Sequence, residues 1–213
     1  MHAHAPLKSI IPERRGNMWN SKHYHAPDFE KPSVLYKLED FLKGIVGEKI
    51  LYHDYILSFD LRGDEHVLDF GCGGGVGTRC VAKFLSADGK VTGVDTSASL
   101  LRRAERRLKS YPQACCLHGD IRMKLFSPGS FDVIMIIHVI HDIHPNDRQE
   151  TISALTRVLK SDGTAFIREP IRTTHGMPVA EIQQLFLRAG FEETKRTVHP
   201  NKEYLGAYQL MPV

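Results

Sequence analysis

The run Val67-Leu68-Asp69-Phe70-Gly71-Cys72-Gly73-Gly74-Gly75 constrains this chain more than any other stretch. A short apolar strand ends in an acidic residue, and a glycine-packed turn follows at once. Val76 to Leu85 then reads as a helix. Strand, glycine turn and helix together make a nucleotide cradle. Small residues let the backbone approach a ligand closely, and the helix N-terminus adds positive potential. The glycine spacing decides which nucleotide. The dinucleotide fingerprint G-x-G-x-x-G would need its third glycine at Val76 or at Thr78, so neither frame fits. No Gly-Lys-Ser/Thr follows either, which removes the phosphate-loop reading. What remains is Asp69-x-Gly71-x-Gly73-x-Gly75.

The length of 213 residues allows one substantial domain with some decoration. Hydrophobic residues at 42% and charged residues at 25% give an ordinary globular composition. A net charge of +3 neither demands nor excludes an acidic partner. No apolar run is long enough to span a bilayer, and the N-terminus lacks the apolar core of a signal peptide. Cys72, Cys80, Cys115 and Cys116 show no C-x-x-C pair and no framework spacing. A reduced, cytoplasmic setting is the simplest expectation.

Residues 1–32 read as an irregular arm rich in His, Pro, Asn and charge. Residues 33–62 read as a helical cap. Val34, Leu35, Leu38, Phe41, Leu42 and Ile45 recur at helical spacing up to Gly47, and a second helix spans Glu48 to Phe59. From residue 63 to 213 strands and helices alternate. Strands are expected at His66–Phe70, Lys90–Val94, Ala114–His118, Phe131–Ile137 and Thr164–Arg168, the last entered through an Asp162-Gly163 turn. Ser97 suits the cap of a helix to about Ser110, Asn146 or Asp147 the cap of one to Leu159, and Pro178 the first turn of one to Ala189. Two more strands are expected near Glu193–Val198 and Tyr204–Met211. This alternation predicts an α/β fold, a doubly wound, Rossmann-like parallel sheet with helices on both faces.

In such sheets ligands sit beyond the carboxyl ends of the strands. The second strand ends at Asp95, placed to accept from both ribose hydroxyls of an adenosine. The third ends in His118-Gly119-Asp120-Ile121, where a carboxylate could accept from the adenine amine and an isoleucine could pack on the ring. Further along stand Phe131-Asp132 before an apolar strand, Arg157-Val158-Leu159-Lys160 before Gly163, and Ala189-Gly190-Phe191. With the glycine turn, these make five signatures in order from about Gly63 to Met211, and they resemble the class I S-adenosylmethionine-dependent methyltransferase family. The resemblance implies a seven-stranded sheet whose last strand is antiparallel and inserted beside the fifth. It implies S-adenosylmethionine as cofactor and S-adenosylhomocysteine as product. It assigns Asp69 and the Gly71, Cys72, Gly73 and Gly75 turn to the methionine part. Asp95 with Thr96 and Ser97 falls to the ribose, and Asp120 and Ile121 to the adenine. No motif of the cofactor site is missing, which argues against a non-catalytic copy.

The acceptor is expected near the ends of the fourth and fifth strands. His138-Val139-Ile140-His141-Asp142-Ile143-His144 invites a metal reading, but no other Cys or His cluster with ligand spacing supports it, so no metal is expected. His138 or His141 could act as general base, and His138 could also touch the cofactor through its backbone. Glu169 could bind a hydroxyl or amine of the acceptor. Arg102, Arg103, Arg106, Arg107 and Lys109 crowd one helix without interleaved aromatics, which disfavours a nucleic-acid partner. The expected activity is methyl transfer to a small molecule, by a monomer or homodimer. A binding module without turnover and a nicotinamide-linked oxidoreductase are the alternatives. Trp19, Tyr24, His25 and Phe29 could close over substrate as a lid.

Overall fold

A computed structural model describes residues 52–212 apart from Lys124 and Thr174. The expected arm, the first cap helix and the aromatic lid lie outside the described residues. Of the second cap helix, the described part carries the short α1, Asp54–Leu57.

The elements then follow as β1 His66–Phe70, α2 Val76–Ala82, β2 Lys90–Asp95, α3 Ala98–Leu108, β3 Ala114–His118, β4 Phe131–Ile137, α4 Pro145–Val158, β5 Leu159–Pro170, α5 Val179–Arg188, β6 Phe191–His199 and β7 Glu203–Leu210. Among the described residues these strands form one seven-stranded sheet in the order β3-β2-β1-β4-β5-β7-β6. β1 to β5 run parallel, and β7 pairs antiparallel with both β5 and β6. The expected sheet, with an antiparallel last strand inserted beside the fifth, is the one observed.

The strand pleat sorts the core into two layers. On one face Leu68, Phe70, Ile134, Ile136 and Ile167 pack against Ile152 and Leu155 of α4 and Ile182 and Phe186 of α5. On the other, Val67, Val133 and Met135 pack against Tyr55 and Ile56 of α1 and Cys80 and Val81 of α2. Burying such side chains contributes about 1.5–3 kcal/mol each before entropy is counted. β1 lies between β2 and β4, so the strand order reverses there and a crevice opens at the strand ends.

Several boundaries differ from the sequence expectation, most of them by one or two residues. α2 ends at Ala82 rather than Leu85. α4 is capped by His144, whose Nδ1 accepts from Asn146 N at 3.3 Å, rather than by Asn146 or Asp147. The cause is Pro145, which suits the first helical position and holds the residue before it extended. Pro178 precedes α5 as its cap rather than entering its first turn. β5 begins at Leu159, and the expected Asp162-Gly163 turn is absorbed into an irregular stretch where Leu159 faces Phe131 and Thr164 faces Val133. A Cβ on Gly163 would lie 2.8 Å from the Asp132 carbonyl oxygen, so the close approach of β4 needs glycine.

Candidate functional site

A cleft of about 580 Å³ opens at the carboxyl ends of β1, β2, β3 and β4. The glycine turn forms its floor. Gly73, at φ 51°, has nothing within 4 Å of where a Cβ would stand, so that side of the turn is open to a ligand. Gly75, at φ 77°, serves a different purpose. A Cβ there would lie 2.8 Å from Ala104, so this glycine lets α3 pack close to α2.

Asp95 stands beside the turn and lines the cleft. Its Oδ2 accepts from Gly73 N and its Oδ1 from Ser97 N, both at 2.8 Å. Burial raises its pKa, against the pull of those backbone donors. A carboxylate offers about four lone-pair positions, so acceptor capacity remains for a ligand. Ser97 itself is buried and caps α3 through Leu100 N, as expected of a cap, and it does not line the cleft.

At the far edge, Asp120 and Ile121 both line the cleft. Asp120 is held by Arg122, with Nη2 to Oδ2 at 2.6 Å and Nε within 3.1 Å of both oxygens. That guanidinium lowers the Asp120 pKa. Arg122 also reaches Asp147 at 3.2 Å, tying this wall to α4. Sequence reading missed Arg122, although its place two residues after Asp120 was visible.

His138 follows β4 with φ 58°, a left-handed conformation that a non-glycine residue adopts at a cost of about 1 kcal/mol or more. Its Nε2 lies 2.8 Å from Oε1 of Glu203, and Arg168 donates to the other Glu203 oxygen at 2.6 Å. Burial would raise the Glu203 pKa, but the hydrogen bonds from His138 and Arg168 outweigh it and hold the carboxyl far below its usual range. His138 lines the cleft and is the more accessible of the two expected bases. The His141 ring is 3% exposed, with Nδ1 2.6 Å from Glu169 and Nε2 3.0 Å from His175. Burial would lower its pKa, yet the Glu169 carboxylate wins and raises it.

Besides Gly75 and Ser97, two more expected ligand contacts fall outside the cleft lining. Glu169 is fully buried and does not line the cleft. It accepts from Val139 N at 2.8 Å, Ile140 N at 2.7 Å and the His141 ring, so it organises the loop after β4 instead of meeting an acceptor. Asp69 lies behind the cleft wall. The pleat puts it on the Val67 face, toward α2, where Thr78 Oγ1 donates to its Oδ2 at 2.6 Å. Gly71, Cys72, Gly73, Asp95, Thr96, Asp120, Ile121, His138 and His141 are brought to the cleft, and Asp69, Gly75, Ser97 and Glu169 support it from behind.

Burial pushes the Asp69 pKa up to about 7, against the Thr78 hydrogen bond. The folded chain thus keeps a proton that the unfolded chain releases near pH 4. Stability from this group is complete below pH 4 and is lost as pH rises toward and through 7. Asp69→Asn keeps an acceptor for Thr78 and removes that slope. Urea midpoints at about pH 5 and pH 8 are expected to show wild type losing up to roughly 3 kcal/mol more than the variant. Equal losses would refute it.

Residues 67–163 match the family model described as a methyltransferase domain. An uncharacterized methyltransferase of Synechocystis sp. is 34% identical over 119 residues, 55% of this chain and 53% of that protein. The 2-phytyl-1,4-naphtoquinone methyltransferase of Thermosynechococcus vestitus is 29% identical over 64% of this chain and 60% of its own length. The chain thus spans little more than half of these curated relatives. In fold it is similar to a SAM dependent methyltransferase from Aquifex aeolicus, with a TM-score of 0.67 at 17% identity, over 82% of this chain and 97% of that one.

Proposed function

Because residues 67–163 match a methyltransferase domain, we propose that this chain is a class I S-adenosylmethionine-dependent methyltransferase that transfers a methyl group to a small-molecule acceptor in the cleft beside His138. The observation that carries this reading is the pairing of Asp95 with Gly73. A carboxylate with spare acceptor capacity stands beside an unobstructed glycine turn at the switch point of the sheet. That arrangement fits an adenosine whose link to its next part carries no phosphate. S-adenosylmethionine, when bound, supplies a methyl already activated by a sulfonium.

The residues of the chain supply the rest. Asp95 accepts from the ribose hydroxyls, with Thr96 beside it. Asp120, steadied by Arg122, receives the adenine amine, and Ile121 packs against the ring. Gly71, Cys72 and Gly73 carry the methionine part along the backbone. Asp69, Gly75 and Ser97 hold these groups in place from the second layer. Alignment of the acceptor with the methyl, and exclusion of water, provide most of the rate. His138, anchored by Glu203, takes the proton from a hydroxyl or amine acceptor. The resemblance to a naphthoquinone methyltransferase supports a ring-bearing acceptor of that kind.

The proposed setting is the cytoplasm. The four cysteines are all free, and no helix among the described residues is long and apolar enough to cross a membrane. The basic helix α3 spends Arg107 on the Gly74 carbonyl, which weakens a nucleic-acid reading.

Calorimetric titration with S-adenosylmethionine, S-adenosylhomocysteine and NAD tests the proposal. Saturable binding of the first two and not of NAD is expected. Binding of NAD alone would overturn the cofactor. Binding without turnover against a panel of quinones and phenols would favour a binding module.

A further inference from the structure

The histidine run after β4 does not gather on itself. His138 turns to Glu203, and His144 caps α4. His141 and Asp142 instead meet His175, from the loop after β5. Nε2 of His141 lies 3.0 Å from Nε2 of His175 and 3.4 Å from Oδ1 of Asp142. One ligand atom from each residue falls within 4.8 Å of the other two. We propose that His141, Asp142 and His175 bind a divalent transition-metal ion, of the zinc or ferrous class, in the wall of the cleft.

Two of the three separations, 3.0 and 3.4 Å, suit such an ion, and the Asp142–His175 pair lies within 4.8 Å. Ligand atoms about 2.0–2.2 Å from a metal, at tetrahedral or octahedral angles, stand about 3.0–3.5 Å apart. Two imidazoles and one carboxylate are the donor set such metals take when protein fills part of the shell. The orientation of His141 is prepared as well. Fully buried Glu169 sits 2.6 Å from its Nδ1 and is itself fixed by two backbone N–H groups. A carboxylate there keeps the proton on Nδ1 and turns the Nε2 lone pair toward Asp142 and His175, the outer-shell arrangement of metal-binding histidines.

Charge favours a cation too. The Glu169 and Asp142 carboxylates flank His141. The nearby Arg148 donates to the His141 carbonyl oxygen and to Glu181. All three ligands line the cleft, and His175 is exposed, so the remaining coordination positions open onto the cavity. Resting on the methyl-transfer reading, those positions would take an oxygen of the acceptor, such as a phenol or hydroxyquinone. The sequence offered His138, His141, Asp142 and His144 but not His175, which lies 34 residues from His141.

The competing account is a plain hydrogen bond between the two imidazoles. The full chain, stripped with chelator, is titrated with Co²⁺ alone and followed by its visible ligand-field absorption. One tightly bound equivalent is expected, with affinity falling by more than the about 10- to 100-fold typical of losing an outer-shell partner in His175→Ala and in Asp142→Asn. Both residues have solvent exposure, and melting of each metal-free variant near the wild-type temperature keeps the comparison fair. Absence of saturable binding would overturn the site. Equal affinity in wild type and both variants would also overturn it, since the metal would then sit on other histidines. Titration of the metal-free chain with S-adenosylhomocysteine separates the two proposals. Cofactor binding without metal binding sinks this site alone, and metal binding without cofactor binding sinks the methyltransferase reading alone.

Discussion

Replacing Asp95 by alanine is expected to weaken S-adenosylhomocysteine binding by about 100-fold or more, measured by calorimetry. A charged acceptor contributes about 1.5–3 kcal/mol per hydrogen bond, and two ribose hydroxyls would use it. Tenfold in affinity corresponds to about 1.4 kcal/mol. The substitution also releases Gly73 N and Ser97 N, the two donors that fix the turn relative to α3. Asp95 lies at the partly exposed end of β2, so the fold should survive. Asp95→Asn keeps an acceptor oxygen without the charge and should fall between the two. Gly73→Val should abolish binding by another route. Its side chain would fill open cleft, at a φ of 51° that a β-branched residue resists. Unchanged affinity in Asp95→Ala and Gly73→Val would remove the cofactor assignment.

The largest stability loss is expected from Glu169→Ala. This carboxylate satisfies the Val139 and Ile140 N–H groups and the His141 ring where water does not reach. Truncation leaves two backbone donors and a ring nitrogen unpaired and opens a hole beneath the loop. Breaking such a buried network costs about 3–5 kcal/mol. For a chain of this size that lowers the melting temperature by roughly 10 °C. Glu169→Gln keeps one acceptor oxygen and should lose less. A melting temperature within about 2 °C of wild type in Glu169→Ala would show that the loop does not depend on this residue.

Both residues bear on what the sequence could reveal. Strand positions were legible because buried parallel strands read as apolar runs, and β1, β3 and β4 fall on the expected residues. Asp95 and Asp120 were legible because strand ends at a switch point face the crevice. Glu169 was misread as a ligand for the acceptor, yet a signal existed. It follows Ala165 and Ile167 at a spacing of two, so the pleat turns it to the same buried face. Asp69 could have been placed the same way from Val67. His175 and Glu203 carried no such signal. Their importance comes from pairing between segments distant in sequence, which periodicity does not encode. The cap of α4 was misplaced because Asn146 and Asp147 are better capping types than His144, and the Pro145 restriction outweighed that preference.

The position of β7 has a consequence for the order in which the molecule is built. This strand follows β6 in sequence and yet lies inside the sheet, between β5 and β6. A ribosome that has released β6 has released a strand whose neighbour does not yet exist. Until then β5 presents an unpaired edge of the kind that recruits other chains. β6 and β7 are joined by residues 200–202, so they can zip into a hairpin and dock together. Glu203, the first residue of β7, is the group that holds both His138 and Arg168. The cleft histidine therefore gains its anchor only after β6 has been made, and a nascent chain stalled before β7 would carry the glycine turn and Asp95 without a finished wall opposite them.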